Sequence, residues 1–365
     1  MVRFQVVRQI RELEKHELAW ASLCDRAAGQ IFTRPEWLLP WLSSFGKKLT
    51  LAVVLGWYEG ELVAVLPFHQ PRRRALSLLC NDHTPEGQLA IDPAHHRRVI
   101  ADFVAWAFER RWSHVELNKL PTDSVDYRAL QRMRALAYER RERQSHHTRI
   151  EGDFASFVAA RSKNFRKQVK KAERAAKQQG LTVEFLEEPK AIDAALDDLE
   201  TVSHASWQGK SGTGAFAEPR AAEFYRGSAL AYAQRGATVL LVCKRQGEPI
   251  GFILHVLDGS RMDALKSEFD ERYGDCMVGW QIAARAYQLA HARGLKTIGM
   301  GCWRTDFKRR WTTTTTPVAD LTLFAPTLVG GARFLYPHLS KELVKRALGK
   351  PSVARCLPLL DFTAP

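Results

Sequence analysis

The feature that narrows this chain most is an internal repeat that survives an ungapped comparison. Leu51–Phe68 (LAVVLGWYEGELVAVLPF) aligns with Thr238–His255 (TVLLVCKRQGEPIGFILH), Gly60 over Gly247, at an offset of 187 residues. Each segment reads as an apolar strand, a Gly-containing turn, a Glu and a second apolar strand, which is the pattern of a β-hairpin. The order beyond the hairpin repeats too. The first half continues with a third strand near Ala75–Leu79, an amphipathic helix from His95 to Trp112 and a strand Val115–Leu120. The second half gives a strand Arg261–Glu268, a helix Gly279–Arg293 and a strand Thr297–Met300. Antiparallel strands followed by a helix and a further strand predict a mixed sheet with the crossover helix on one face. The expected class is therefore α/β: two tandem units, each a mixed, mainly antiparallel sheet with flanking helices.

Length agrees with two cores, because 365 residues exceed what one domain usually holds. The expected boundaries are residues 1–150, 151–326 and a basic amphipathic tail over 327–365. In that tail Phe334, Leu335, Leu339, Leu343, Val344 and Leu348 alternate with Lys341, Lys345, Arg346 and Lys350. Such a pattern serves docking against the chain's own second domain and, less often, contact with an anionic membrane. Arg8, Arg11, Glu12, Glu14 and Lys15 interrupt the opening as a signal segment, and no run approaches the ~20 apolar residues of a spanning helix. The expected location is cytoplasmic, extending to the inner face of the membrane. Six cysteines without CxxC spacing, and histidine pairs without partners at zinc spacing, leave no metal site expected. Lys plus Arg outnumber Asp plus Glu by 54 to 40, which favours anionic partners.

Between the halves, Ser156–Gly180 carries few helix breakers and is predicted as one helix. Phe165, Val169, Ala172 and Ala176 form its apolar stripe, and Lys163, Lys167, Lys170, Arg174 and Lys177 follow the same spacing on the opposite side. Like charges at i, i+4 destabilise a helix by a few tenths of a kcal/mol each, so a face of one sign points to an anionic partner.

The stretch Ser162-Lys-Asn-Phe-Arg-Lys-Gln-Val-Lys-Lys-Ala172 resembles the helix that opens the second unit of FemAB-like and CelD/BcsL-like acyltransferases of the GNAT superfamily. His204-Ala-Ser-Trp207, Phe224-Tyr225, the second hairpin, Phe269-Asp270-x-x-Tyr273, Gly279 and Phe307-Lys308-x-x-Trp311 follow in that family's order. Phe32-Thr-Arg-Pro-Glu-Trp37 resembles its N-terminal half. Two positions depart from the family: Met277-Val278-Gly279 stands where a Ser-Pro-Gly-like step is usual, and Gly299 stands where an Asp is frequent.

What the resemblance implies is an acyl transfer from acetyl-CoA or a longer acyl-CoA to an amine or hydroxyl. The acceptor class is a small molecule or a glycan or cell-envelope precursor. The pyrophosphate of the cofactor would sit at Cys276, Met277, Val278, Gly279, Trp280 and Gln281, where unpaired amides and the helix dipole favour an anion. Glu268 or His255 is the candidate base and Tyr273 the candidate acid, with Asp270 beside them. Lys163, Lys167, Lys170, Arg174, Trp207, Lys308 and Trp311 are the candidate contacts to substrate or anion. Two other functions fit the same residues: FemAB-like transfer from aminoacyl-tRNA, with the basic helix on RNA phosphates, and a non-catalytic factor that binds polyanions or assists envelope assembly. Gly209-Lys210-Ser211 is not a P-loop, since the Gly required five residues earlier is His204.

Overall fold

The computed structural model describes residues 1–27, 29–133, 135–302, 305–335 and 354–357. The chain forms two compact units, and the division is not the linear one expected. The first holds residues 1–35, 48–145 and 316 onward, and the second holds 36–47 and 146–315. The helix Pro35–Phe45 joins the second unit because its aromatic residues find their partners there. Trp37 meets Phe224 edge to face at 4.8 Å, and Pro40 packs against Gly227. The segment after Thr315 departs in the opposite sense and belongs with the first unit. The start of the tail does so as well: Phe334 of the helix Leu328–Phe334 packs on Phe324, and Arg333 donates to Ser113. The tail positions Leu339, Lys341, Leu343, Val344, Lys345, Arg346, Leu348 and Lys350 lie outside the described residues.

In the first unit, β1 (Val53–Tyr58) and β2 (Glu61–Leu66) form the hairpin, followed by β3 (Ala75–Leu78), α1 (His96–Glu109) and β4 (His114–Pro121). β3 and β4 pair in parallel. A long strand, β5 (Leu136–Arg149), leads onward, and its last residues count with the second unit. There, α2 (Lys163–Gln179), β6 (Leu181–Leu186), α3 (Pro189–Ala205) and α4 (Pro219–Gln234) precede the second hairpin, β7 (Thr238–Arg245) and β8 (Glu248–Asp258). Next come β9 (Arg261–Phe269), α5 (Val278–Ala292), β10 (Thr297–Gly299) and α6 (Asp306–Trp311), after which β11 (Thr314–Phe324) returns to the first unit and pairs with β4. In the second unit the strands run β6-β7-β8-β9-β10 and then the end of β5, antiparallel except for the parallel pair β9–β10.

The repeat holds at the level of single residues. Glu59 and Gly60 have φ of 50° and 87°, and Gln246 and Gly247 have 52° and 88°, so both hairpins turn through two left-handed residues. Both also carry a register break at the same place, between Gly56 and Trp57 and between Cys243 and Lys244, again 187 residues apart. The helix expected over Ser156–Gly180 is interrupted. A short helix Phe154–Ala159 ends first, and Ser162 then caps α2 by accepting the Phe165 N–H at 3.2 Å. Gly180, at φ 61°, closes α2. Phe165, Val169 and Ala172 are buried against the core shared with α5, and the Gln281 side chain donates to the Ala172 carbonyl.

His255 belongs to this core. Its cross-strand neighbours Val239 and Ala264 pack on the α5 side of the sheet, it is 1% exposed, and its Nδ1 has no hydrogen-bond partner. Glu268 stands opposite Phe252, whose ring meets Phe216 on the other side of the sheet. The two candidate bases are thus divided by the sheet, because the alternation of the pleat sends them to opposite faces.

Burial pushes the His255 imidazole down to about 4, opposed by the Asp263 carboxylate. An unfolded chain takes this proton near 6.5 and the native chain only near 4, so stability falls as pH drops through that window, by roughly 3 kcal/mol in all. Chemical denaturation of His255→Leu between pH 7 and 4 should show that loss removed; an unchanged acid limb would place its cause in other groups.

Candidate active site

Gly299 ends β10 directly opposite Asp263. A Cβ on Gly299 would lie 2.1 Å from Asp263 Oδ1, so the carboxylate occupies the space that any other residue would need. Arg261 fixes that carboxylate with Nε on Oδ2 at 2.5 Å and Nη2 on Oδ1 at 2.9 Å. The strands are parallel only over Arg261–Asp263 and Thr297–Gly299. β9 then runs on to Phe269, turned by its bulge, and beyond Asp263 no strand lies on its β10 side among the described residues. The parting leaves β9 without a strand partner on that side, so an extended ligand can use its backbone donors and acceptors as a strand would, apart from the Ser267 carbonyl, which the Gln208 side chain takes.

α5 begins beside this opening. Met277 adopts the left-handed region (φ 55°, ψ 36°), and the amides of Trp280 and Gln281 turn back to its carbonyl. The amides of Val278 and Gly279 open the helix, with the positive end of its dipole. A Cβ on Gly279 would meet only Phe307 at 3.7 Å and Phe269 at 3.9 Å, which is ordinary contact. Next to it lies a cavity of about 370 Å³ walled by Arg161, Asn164, Phe165, Trp280, Arg309 and Arg310. Arg161 is held by the carbonyls of Arg310 and Thr312 at 2.6 and 3.1 Å and lies over the Phe165 ring at 5.2 Å. Of the expected cofactor segment, Met277, Val278 and Gly279 stand at the opening and Trp280 on the cavity wall. Cys276 and Gln281 do not, since the first is buried and the second is tied to α2.

On the other face a strap, Ser206–Ala217, lies over the end of β9. Gln208 donates to the Ser267 carbonyl at 2.9 Å, the Ala215 N–H to Glu268 Oε1 at 2.7 Å, and Lys266 to the Thr213 carbonyl. Lys210 pairs with Glu271 at 2.5 Å. Glu268 is 1% exposed beneath this strap. Its carboxyl is pushed up by burial, partly offset by Lys266 and by bonds from Ser203 and Ala215. Its carboxylate accepts from the strap's Ala215 N–H and lies 3.6 Å from Lys266 Nζ. Lys308 reaches the same neighbourhood: burial brings its ammonium down to about 8, Cys302 opposing and Lys266 adding to the effect. Lys266 is likewise lowered by burial, with Glu268 opposing.

The remaining candidates scatter. Asp270 caps the turn Glu271–Cys276; against its own desolvation, the Arg272 guanidinium, 2.9 Å from Nε to Oδ2, holds its carboxyl below the usual range. Tyr273 is half-buried with Arg245 and Arg272 over its ring at 5.7 and 5.9 Å. Trp207 is 50% exposed on the strap, whereas Trp311 is sealed between Phe165 and Tyr287 at 4.9 Å each and cannot touch a ligand. Lys163, Lys167, Lys170 and Arg174 all lie exposed along α2. Sequence reasoning missed Lys266, Asp263 and the guanidiniums of Arg309 and Arg310. The last two are the unspecified positions within Phe307-Lys308-x-x-Trp311, where the signal was charge alone.

Among the described residues the first unit has no equivalent opening. Its β4 also runs past its parallel partner, but the chain between Leu78 and Ala90 returns against it. Gly87 donates to the Lys119 carbonyl at 2.8 Å, and a Cβ there would lie 2.0 Å from the Asn118 carbonyl. Lys119 in turn grips the carbonyls of Asn81 and Thr84 at 2.6 and 2.9 Å.

Residues 163–309 match the acetyltransferase (GNAT) domain family. No curated protein matches the chain. Among solved structures, that of FemX is 10% identical, with 92% of this chain and 99% of that chain covered at a TM-score of 0.61. The C-terminal DUF2156 domain of a protein described as a lysylphosphatidylglycerol synthetase, from Agrobacterium fabrum, is 11% identical, with 91% and 97% covered at 0.58. A protein of unknown function from Bacteroides thetaiotaomicron is 11% identical at 0.51, with 89% and 100% covered. At such identities the likeness is one of fold. The matched domain begins at α2 and runs through the parted strands to α6, so this part of the chain is similar to a GNAT acetyltransferase domain, and the fold along the chain is similar to that of FemX.

Proposed function

We propose that the second unit transfers an acyl group from acetyl-CoA or a longer acyl-CoA to an amine or hydroxyl of a small molecule or a glycan or envelope precursor. The observation that carries this is the parting of β9 from β10 directly before the start of α5. An extended pantetheine arm would pair with the free edge of β9, and its pyrophosphate would meet the amides of Val278 and Gly279. The phosphorylated adenosine end would then lie toward the cavity, where Arg161, Arg309 and Arg310 offer charge and Trp280 offers a face for stacking. The acceptor's lone pair attacks the thioester carbonyl, a C–N or C–O bond forms as the C–S bond breaks, and the proton lost by the acceptor ends on the departing sulfur, giving free CoA thiol. Lys308, positively charged below about pH 8, supplies the charge that the oxyanion or an anionic acceptor meets. A second reading, aminoacyl transfer from aminoacyl-tRNA, is favoured by the fold shared with FemX along both chains. Calorimetry of the full chain against acetyl-CoA, longer acyl-CoAs, free CoA and tRNA separates the two.

Gly279→Asp should keep the fold, because its Cβ has room, while a carboxylate at the helix start repels the pyrophosphate. CoA affinity is expected to fall at least ~10-fold, a change of ~1.4 kcal/mol; undiminished affinity in a folded variant would move the cofactor elsewhere. For Lys308, kcat/KM should decline as pH rises through about 8, the value at which the ammonium loses its proton. Lys308→Met should lower kcat/KM by ~100-fold or more and abolish that alkaline limb. A variant that keeps the limb would remove Lys308 from the site.

A further inference from the structure

α2 carries Lys163, Lys167, Lys170, Lys171, Arg174 and Lys177, all exposed. At the ~100° per residue of an α-helix these six fall within an arc of about 120°, centred opposite the buried Phe165, Val169 and Ala172. None of the six makes an ion pair among the described residues, although cations elsewhere in the unit commonly do. Glu184 on the adjacent strand β6 is taken by Lys244 at 2.7 Å, and Glu187 is taken by Arg293. Glu173 is the one acidic residue in the helix. The pairs Lys163–Lys167, Lys167–Lys171 and Lys170–Arg174 repel at i, i+4, a cost the fold has no need to bear.

We infer that this face of α2 is a docking surface for an anionic lipid surface. The row from Lys163 to Lys177 is about 21 Å long, so a single small anion meets one or two of its charges, and only an extended array of anions meets them all. Five of the six are lysines, point charges without the fork that arginine offers to phosphate, and the exposed face has no aromatic residue on which a base could stack. A plane of headgroups needs neither and presents charge across the whole arc at once. The apolar stripe of α2 is spent on the core, and no described helix is long and apolar enough to cross a membrane. The contact is therefore electrostatic and peripheral. It holds the second unit against a membrane and gives its active site access to acceptors that reside there.

The test is co-sedimentation of the full chain with vesicles of phosphatidylcholine and with vesicles of equal phosphatidylcholine and phosphatidylglycerol. Binding is expected to the anionic vesicles alone and to vanish near 1 M salt, where the screening length is ~3 Å. Each ammonium removed should weaken partitioning roughly five-fold, so the variant K167Q/K170Q/K171Q/K177Q should lose on the order of several hundred-fold. The matching variant K167R/K170R/K171R/K177R, equal in charge, should bind like the wild type. The proposal is overturned if the four-Gln variant, folded by circular dichroism, binds anionic vesicles as the wild type does, or if the wild type ignores them. It is overturned equally if a single-stranded RNA oligonucleotide binds through the same four lysines and displaces the vesicles, which would make the partner a nucleic acid.

Discussion

The second unit depends on how briefly β9 and β10 stay together. Three residue pairs hold them parallel, and at the third pair the Asp263 carboxylate fills the volume above Gly299. Glycine is required there by volume and not by dihedral angle, since the residue is not among those with positive φ. From that point one strand stops, the other bends at Leu265, and the strand edge, the first turn of α5 and the cavity beside Trp280 all face one opening. A fourth pair of ladder bonds would close the edge on which an extended ligand could lie.

The comparison with the first unit shows that topology alone does not make a site. Both units have the hairpin with the same left-handed turn and register break, and both have a parallel pair joined by a helix. In the first, the chain doubles back into the space between the parting strands, with Gly87 allowing the approach and Lys119 tying down the return. In the second, a comparable piece of chain, the Ser206–Ala217 strap, lies over one face of β9 and takes only the Ser267 carbonyl through Gln208, so that no strand pairs with β9 there among the described residues. Glu268 belongs to that strap's anchorage. A carboxylate receiving a backbone N–H and a nearby ammonium has the partners that its burial requires.

Charge is distributed in two ways over the same unit. Beneath the strap, burial lowers the ammonium pKa of Lys266, against Glu268, and brings that of Lys308 to about 8. Along α2 the cations are fully hydrated and act together through their number. The first arrangement suits chemistry on a bound molecule, and the second suits attraction to something large.

What the sequence determined by itself was periodic or repeated. The 187-residue offset, the order of strands and helices and the buried stripe and basic face of α2 all follow from local pattern, because hairpin turns and helical faces are set by residues close in the chain, whereas the segment at Gly279 is marked by family resemblance alone. Tertiary structure decided the rest. Trp37 left its own half because its ring fits beside Phe224, and Trp311, a plausible ligand contact by spacing, became the centre of an aromatic cluster. His255 and Glu268 look equivalent as residues near strand ends, yet Glu268 pairs with Phe252, three residues from His255, so the alternation of the pleat puts them on opposite sides of a sheet. Gly299 stands where the resemblance leads one to expect a carboxylate, and the space a side chain would need there is filled by Asp263, across the strand pair from a position 36 residues earlier. Such facts depend on which atoms share a volume, and distance along the chain carries no record of that.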